Sequence, residues 1–468
     1  MTSLSQMVLL FFCMSAIGVV PVSGKVSDDS IAKYGSTENN DDASLFFGIA
    51  NRDITPDPAV LDWVTGRPYG EVHDQIYVRA AVIGDGEERA VIISWDLVDA
   101  GDSATWEVRE SISAELGIPV ENILINATHN HSAPWSPVYS DDHRGDEQDT
   151  WWATRYMPPQ NDEPHFSAWM ELLVNQTTAA AAEAVESMQP ASLWIGRADV
   201  GQYLYNRRPQ HPDSGIAESR YKGSFNFRSD DWDPGVLQGG ARFGPLDRTM
   251  TVLTFRDESD GVIGTMFHLA NHAVSIYPYM EGISGDWPAE TVHQISRNLG
   301  GEAIFLQGTA GDVTPWRRGP EAVQEMSRGL AGRAVAADRH SARLETGKLL
   351  TSRAVAGLPL TQAGKERTGL DALASEVQVI RLGTLALVTL PGEPLTDLGM
   401  EIRERSPFPH TLVLGYSNGN GVHYVGMPGE KSRGGYEMQE TSNLGTDEAG
   451  LILVELAVRQ LKELADVE

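Results

Sequence analysis

Apolar residues along this chain fall into short runs separated by stretches with the three-to-four residue spacing of amphipathic helices. The runs FFGIANRDI, QIYVRAAVIG, RAVIISWDLV and ENILINA predict strands, and a helix over 104–117 is predicted between the last two. Further strands are predicted at 191–200, 250–257, 262–270, 303–308, 375–383, 385–392 and 411–417. Further helices are predicted at 167–188, 287–299, 321–337 and 447–465. Such alternation implies an α/β fold, a mixed β-sheet core flanked by helices in one large domain. The sequence shows no internal repeat and no low-complexity tract. Two stretches, 139–166 and 210–248, lack regular periodicity; loops of that length read as walls of a substrate mouth or as surface decoration.

Composition sets the boundaries. The chain has 468 residues, and its 41% hydrophobic content is ample for a buried core. Residues 1–24 carry no charged side chain and contain MVLLFFCMSAIGVVPV followed by Ser23 and Gly24. This reads as a secretory signal peptide without the usual basic start, and hence as a secreted or periplasmic protein. A membrane anchor is the alternative, but an apolar segment of about 16 to 18 residues is short of the about 20 needed to span. Residues 25–44 are polar and read as a tether, with the catalytic domain expected over 45–468. Cys13, the only cysteine, lies in the apolar segment. A mature chain therefore has no thiol for disulfides, zinc or nucleophilic attack. The formal net charge of -29 excludes nucleic acid as a natural partner and reads as solubility by self-repulsion.

The chemistry begins at LINATHNHSAP, where His129 and His131 stand two residues apart just past a strand. On an extended backbone such residues share a face and can aim at one metal ion. Reactive residues recur where later strands end: His272 in FHLANHAVS, Asp312 and Thr314 in GTAGDVTPW, Glu393 in TLPGEPLT, and Tyr424 and Tyr436 in the glycine-rich segment after 414. Each has a plainer reading. His272 serves equally as a core histidine, although His268 suits that role better. Glu393 can cap a helix, the tyrosines can be half-buried aromatics, Arg207 can be a surface charge, and Thr314 can close a turn.

Taken in order, these segments resemble the neutral ceramidase family of zinc amidases. THNHSAP is similar to its THTHSGP, NHAVS to its HGTS block, GDVTP to its GDVSP and PGEPLT to its PGE block. Tyr424 and Tyr436 reproduce the twelve-residue spacing of its tyrosine block. The likeness runs from about Phe47 to about Tyr436. It implies zinc held by His129, His272, Glu393 and Tyr424, with His131 and Tyr436 near the substrate carbonyl and Arg207 matching the arginine of the family's NRS block. A zinc ion so held polarises a carbonyl and brings bound water toward a pKa of about 7. Protonated His131 and the Tyr436 hydroxyl would then donate to the tetrahedral oxyanion. The chain departs from the family at AlaVal for GlyThr after His272, at Thr314 for serine, and at YEMQE for YEGAS. It ends one helix beyond the tyrosine block, so the likeness covers the catalytic domain and not the family's C-terminal immunoglobulin-like domain.

The resemblance implies a secreted zinc hydrolase of a linear amide, N-acylsphingosine or a related N-acyl amine, with peripheral contact to a lipid surface. Two other classes stay open on the residues. One is a metal-independent acyl hydrolase using Thr314 or a nearby serine, which lacks a GxSxG elbow. The other is a non-catalytic surface protein that keeps the metal as a pin. The sequence carries no signal for oligomeric state.

Overall fold

Three times along the chain the backbone makes the same excursion: three antiparallel strands, a helix, a fourth strand parallel to the third, and a second helix. The computed structural model describes residues 45–139, 160–211, 215–216, 244–277 and 280–467. The first unit comprises β1 (Phe46–Asp53), β2 (Tyr77–Gly84), β3 (Arg89–Trp95), α1 (Asp102–Leu116), β4 (Ile123–Ala127) and α2 (Pro164–Glu186). The second comprises β5 (Ser192–Asp199), β6 (Thr249–Arg256), β7 (Val262–Leu269), α3 (Asp286–Leu299), β8 (Glu302–Gln307) and α4 (Pro320–Arg339). In the third, β9 (Leu349–Pro359) and β10 (Ala372–Leu382) are joined through α5 (Gln362–Thr368). Then come β11 (Leu385–Thr389), α6 (Thr396–Arg405), β12 (His410–Leu414) and α7 (Ala449–Ala465).

Each unit makes its own sheet, ordered β4-β3-β2-β1, β8-β7-β6-β5 and β9-β10-β11-β12. The parallel pairs end in step, at Trp95 opposite Ala127, Leu269 opposite Gln307, and Thr389 opposite Leu414. Parallel strands need a crossover and are covered on both faces, which is why β4 and β11 are buried along their whole length and apolar except at Asn126 and Thr389. The inner faces of all three sheets share one core. Phe47, Ile92 and Leu124 meet Leu253, Phe255 and Leu306 of the second sheet and Ile380, Leu387 and Leu412 of the third. At its centre the Phe47 and Phe255 rings stack with centroids 3.7 Å apart. The outer faces are closed by helices: α1 and α2 through Val108 and Trp169, α3 and α4 through Trp287 and Leu330, and α6 and α7 through Leu398 and Leu453.

The expected α/β architecture is observed, and the strands and long helices expected from the described segments all form, with ends shifted by a few residues. β9, α5 and α6 were not expected. β9 is an edge strand of mostly half-buried residues, so it lacks a strong alternation. The chain has no sequence repeat, yet its topology repeats where residue identities do not. The described residues from 45 onward form one compact unit. The expected leader, the tether and most of the two irregular stretches lie outside the described residues. Among the described residues, no helix is long and apolar enough to cross a membrane.

Because Phe47 lies where the sheets meet, Phe47→Ala should lower stability by about 3–5 kcal/mol in a urea titration. A loss under about 1 kcal/mol would mean that the three sheets do not share a close-packed core.

Candidate active site

The carboxyl ends of the three parallel pairs converge, and in α/β sheets that is where loops build ligand sites. His129 and His131 follow β4, His272 follows β7, Glu393 follows β11, and Tyr416 follows β12. Backbone hydrogen bonds stitch the loops together. His131 N donates to Ala273 O (3.3 Å), His272 N to Val313 O (3.1 Å), Glu393 N to His423 O (2.8 Å) and Tyr416 N to Gly392 O (2.9 Å). Gly392 has φ +67°, and a Cβ there would lie 2.3 Å from His423 O, so only glycine allows this approach just before Glu393.

The two histidines of HxH meet, though not by the strand geometry expected. β4 stops at Ala127, and His129 adopts a left-handed φ of 60°. The resulting turn brings His131 Nε2 to 3.0 Å from His129 Nε2. His129, His131 and His272 are buried with ring nitrogens within 4.8 Å of one another. Glu393 Oε2 lies 3.1 Å from both His129 Nε2 and His272 Nε2.

The protonation pattern indicates what this group can hold. His129 Nδ1 faces Val98 O at 2.7 Å, and His272 Nδ1 faces Ala310 O at 2.7 Å and Val313 O at 3.0 Å. A carbonyl only accepts, so each Nδ1 carries a proton and each Nε2 faces inward; on His272 that Nε2 presents a lone pair. His272 Nε2 is buried and makes no hydrogen bond there. Burial and the Arg207 guanidinium hold His272 down at about 3, against about 6.5 for a free imidazole. Burial would raise Glu393, but the imidazoles of His129 and His423 hold it well below the usual carboxylate range. An inward lone pair facing a carboxylate oxygen repels it unless a cation lies between them. Tetrahedral zinc with bonds of about 2.0–2.1 Å sets its ligand atoms about 3.3 Å apart, close to the spacing observed. The donor set therefore fits a divalent metal ion.

Burial, followed by His129 and His272, also holds His131 well below an ordinary imidazole. That direction runs against the protonated His131 expected from the sequence. Tyr424 is buried, and its hydroxyl accepts from Arg207 NH2 at 2.8 Å. Tyr436 stands edge-on to it with centroids 5.8 Å apart. Arg207 also donates from Nε to Glu437 Oε1 at 2.8 Å and from NH2 to Gly311 O at 2.8 Å. Far from being a surface charge, it is fixed against Tyr424. His268 takes the structural role, with Nε2 on Val413 O at 3.0 Å. The Thr314 hydroxyl accepts from Arg318 at 2.8 Å, and a guanidinium is no base.

Sequence reasoning missed Tyr416, His423 and Glu437. The Tyr416 ring lies against His129 with centroids 4.2 Å apart, and its hydroxyl donates to Glu393 Oε2 at 3.3 Å. His423 Nε2 is 3.0 Å from Glu393 Oε1. Both sit in the turns around Asn418, where no periodic pattern marks direction. The only local signal is the place of His423 directly before Tyr424.

The pattern described as neutral/alkaline non-lysosomal ceramidase, N-terminal, matches residues 66–337. Neutral ceramidase A of Dictyostelium discoideum is 22% identical over 299 residues, which is 60% of this chain and 37% of that protein. The matched stretch therefore spans well under two thirds of that relative. Among solved structures, neutral ceramidase from Pseudomonas aeruginosa superposes with a TM-score of 0.69 at 19% identity, covering 91% of this chain and 75% of the other. A ceramidase complexed with C2 gives 0.68 at 18% identity, covering 91% and 76%. At these identities the structural likeness speaks for the fold.

Near the site, in the first turn of α6, burial together with the carboxylates of Asp312 and Glu430 pushes Asp397 up to about 7, while Arg208 opposes the shift. Its Oδ1 has no hydrogen-bond partner. A carboxyl raised on folding binds its proton more tightly in the folded state. Its contribution is therefore complete below about pH 4 and is lost as pH rises through about 7. Asp397→Asn should stabilise the protein by about 2 kcal/mol at pH 8 and by almost nothing at pH 4, as read from denaturant midpoints. A gain independent of pH would contradict this assignment.

Proposed function

The chain belongs to the neutral/alkaline non-lysosomal ceramidase family, and from that premise we propose that it is a zinc-dependent hydrolase of linear amides whose substrate is an N-acylsphingosine or a close N-acyl amine. The observation that carries the reading is the inward-facing set of His129 Nε2 and His272 Nε2, each 3.1 Å from one oxygen of Glu393. Zinc bound there supplies Lewis acidity, both for polarising the scissile carbonyl and for activating water.

The remaining work falls to the side chains. Val98, Ala310 and Val313 fix the tautomers of the two imidazoles by accepting from Nδ1. His423 and Tyr416 engage the two oxygens of Glu393 and set its orientation. Arg207, held by Glu437, donates to the Tyr424 oxygen and so stabilises negative charge on that phenol, which would suit it to approach a bound cation. The Tyr436 hydroxyl donates to the oxygen that becomes negative as the carbonyl is attacked, and one such donor is worth about 2.7–4 kcal/mol of barrier. Trp63 and Tyr277 flank His131, at 5.4 and 5.5 Å between centroids, and give that side of the site an apolar wall suited to an acyl group.

Metal analysis of the purified chain and turnover of a fluorescent N-acylsphingosine test the reading. About one zinc per chain and chelator-sensitive cleavage are expected; metal-free protein with full activity would overturn it. Glu393→Gln should lose zinc and turnover together. Tyr436→Phe should keep zinc and lower kcat about 100- to 1,000-fold, and an unchanged kcat would remove Tyr436 from the reaction.

A further inference from the structure

The loops that carry the histidines rest on two buried amides at the junction of the three units. Gln307, the last residue of β8, is wholly buried. Its Nε2 donates to Thr128 O at 3.0 Å and to Asn271 O at 2.8 Å. Its Oε1 accepts from Asn271 N and from Gly308 N, each at 3.1 Å. Both donor hydrogens and both acceptor lone pairs are used, so the amide has one orientation and no freedom to turn.

The partners show what that orientation fixes. Thr128 precedes His129 and Asn271 precedes His272, so one side chain grips the peptide units leading into both imidazoles. Asn126 continues the connection. Its Oδ1 accepts from Gln307 N at 2.9 Å, and its Nδ2 donates to Gly415 O at 2.8 Å and to Ser417 Oγ at 3.0 Å, on either side of Tyr416. The pair spans β4, β8 and the segment after β12, one element from each unit.

We propose that Gln307, braced by Asn126, is a positioning residue for the metal centre, setting the distance between His129 and His272. Simple interior packing would not require an amide with three bonds to the two ligand-bearing loops; an apolar side chain would fill the volume. A site whose ligand atoms must meet within a few tenths of an ångström gains affinity from such a brace, and loss of an outer partner of this kind weakens metal binding about 10- to 100-fold. The inference rests on the metal-dependent reading above.

The test is the zinc dissociation constant of the purified full chain, measured by competition with a chromophoric chelator, alongside a thermal melt of the metal-free protein. Gln307→Met removes all four bonds. Gln307→Glu keeps the length but turns an acceptor toward two carbonyls. Both should weaken zinc about 10- to 100-fold while retaining a cooperative melt. Thr177→Val, which deletes a buried hydrogen bond to Trp95 far along α2, should lower the melting temperature and leave the zinc constant unchanged. Unchanged zinc affinity in both Gln307 variants, failure of both to fold, or an equal zinc loss in Thr177→Val would overturn the proposal. A wild-type chain that takes up no zinc would overturn the metal reading itself, an outcome distinct from these.

Discussion

Three sheets can serve one reaction centre only if the ends of their strands are held against one another, and strand ends cannot be joined by apolar packing alone. Where a ladder stops, the backbone leaves donors and acceptors that must find partners if water is excluded. Here Asn126, Gln307, Ser417 and Asn418 supply those partners within a buried seam between the units. The apolar core reaches up to this seam through Leu124, Leu306 and Leu414 and ends there. The reactive groups begin at once on its far side. The position of every ligand depends on that change from apolar to polar packing.

The same constraint accounts for the strained backbone. His129, Tyr416, Asn418 and His423 all have φ between 52° and 67°, a region costly for residues with a Cβ. Each lies in a loop that must reverse within a few residues of a strand end to face the centre. Continuing β4 as a strand would carry His131 past the other ligands. The strained turns are retained because hydrogen bonds between and within units over-determine them: Asn418 Oδ1 accepts from Ile125 N of the first unit at 2.9 Å, and Thr128 N donates to Trp95 O beside it at 2.8 Å. Strain held this way preorganises a site, since its ligands need not move to meet their ion.

The sequence disclosed the parts that depend on period and chemistry. Strands such as β2, β3 and β7 carry continuous apolar runs, and α4 and α7 carry helical spacing, so their existence was readable. His129, His272 and Glu393 were legible as candidates because each follows a predicted strand. The threefold topology was not legible: it constrains only the order of apolar faces, which many unrelated residues satisfy. Nor were Tyr416 and His423, whose directions are set by left-handed turns and by contacts across units. The inference that His129 and His131 share a strand face identified the right residues by the wrong geometry, since a turn achieved what a pleat was expected to do.

One further feature follows from burial. From the helical turn Glu430–Arg433 toward the centre, charges alternate in a row: Glu430, Arg208, Glu437, Arg207, then the Tyr424 hydroxyl. Desolvating such groups costs about as much as their attraction returns, so a buried row of this kind is a poor source of stability. Its value is directional. Arg207 and Arg208 lower Glu437 below its ordinary carboxylate value against the effect of burial. Thus Glu437 stays ionised and keeps Arg207 aimed. Arg207 in turn brings a fixed positive charge to a phenol oxygen that burial alone would keep protonated. In a chain whose net charge is -29, two arginines enclosed by carboxylates are the means of placing one cation beside a tyrosine without exposing it to the acidic surface. The row also connects Tyr424 to the segment carrying Tyr436 through Glu437, the residue next to it in the chain. The Tyr424 hydroxyl and the backbone segment that carries Tyr436 are thus tied to the same buried charges.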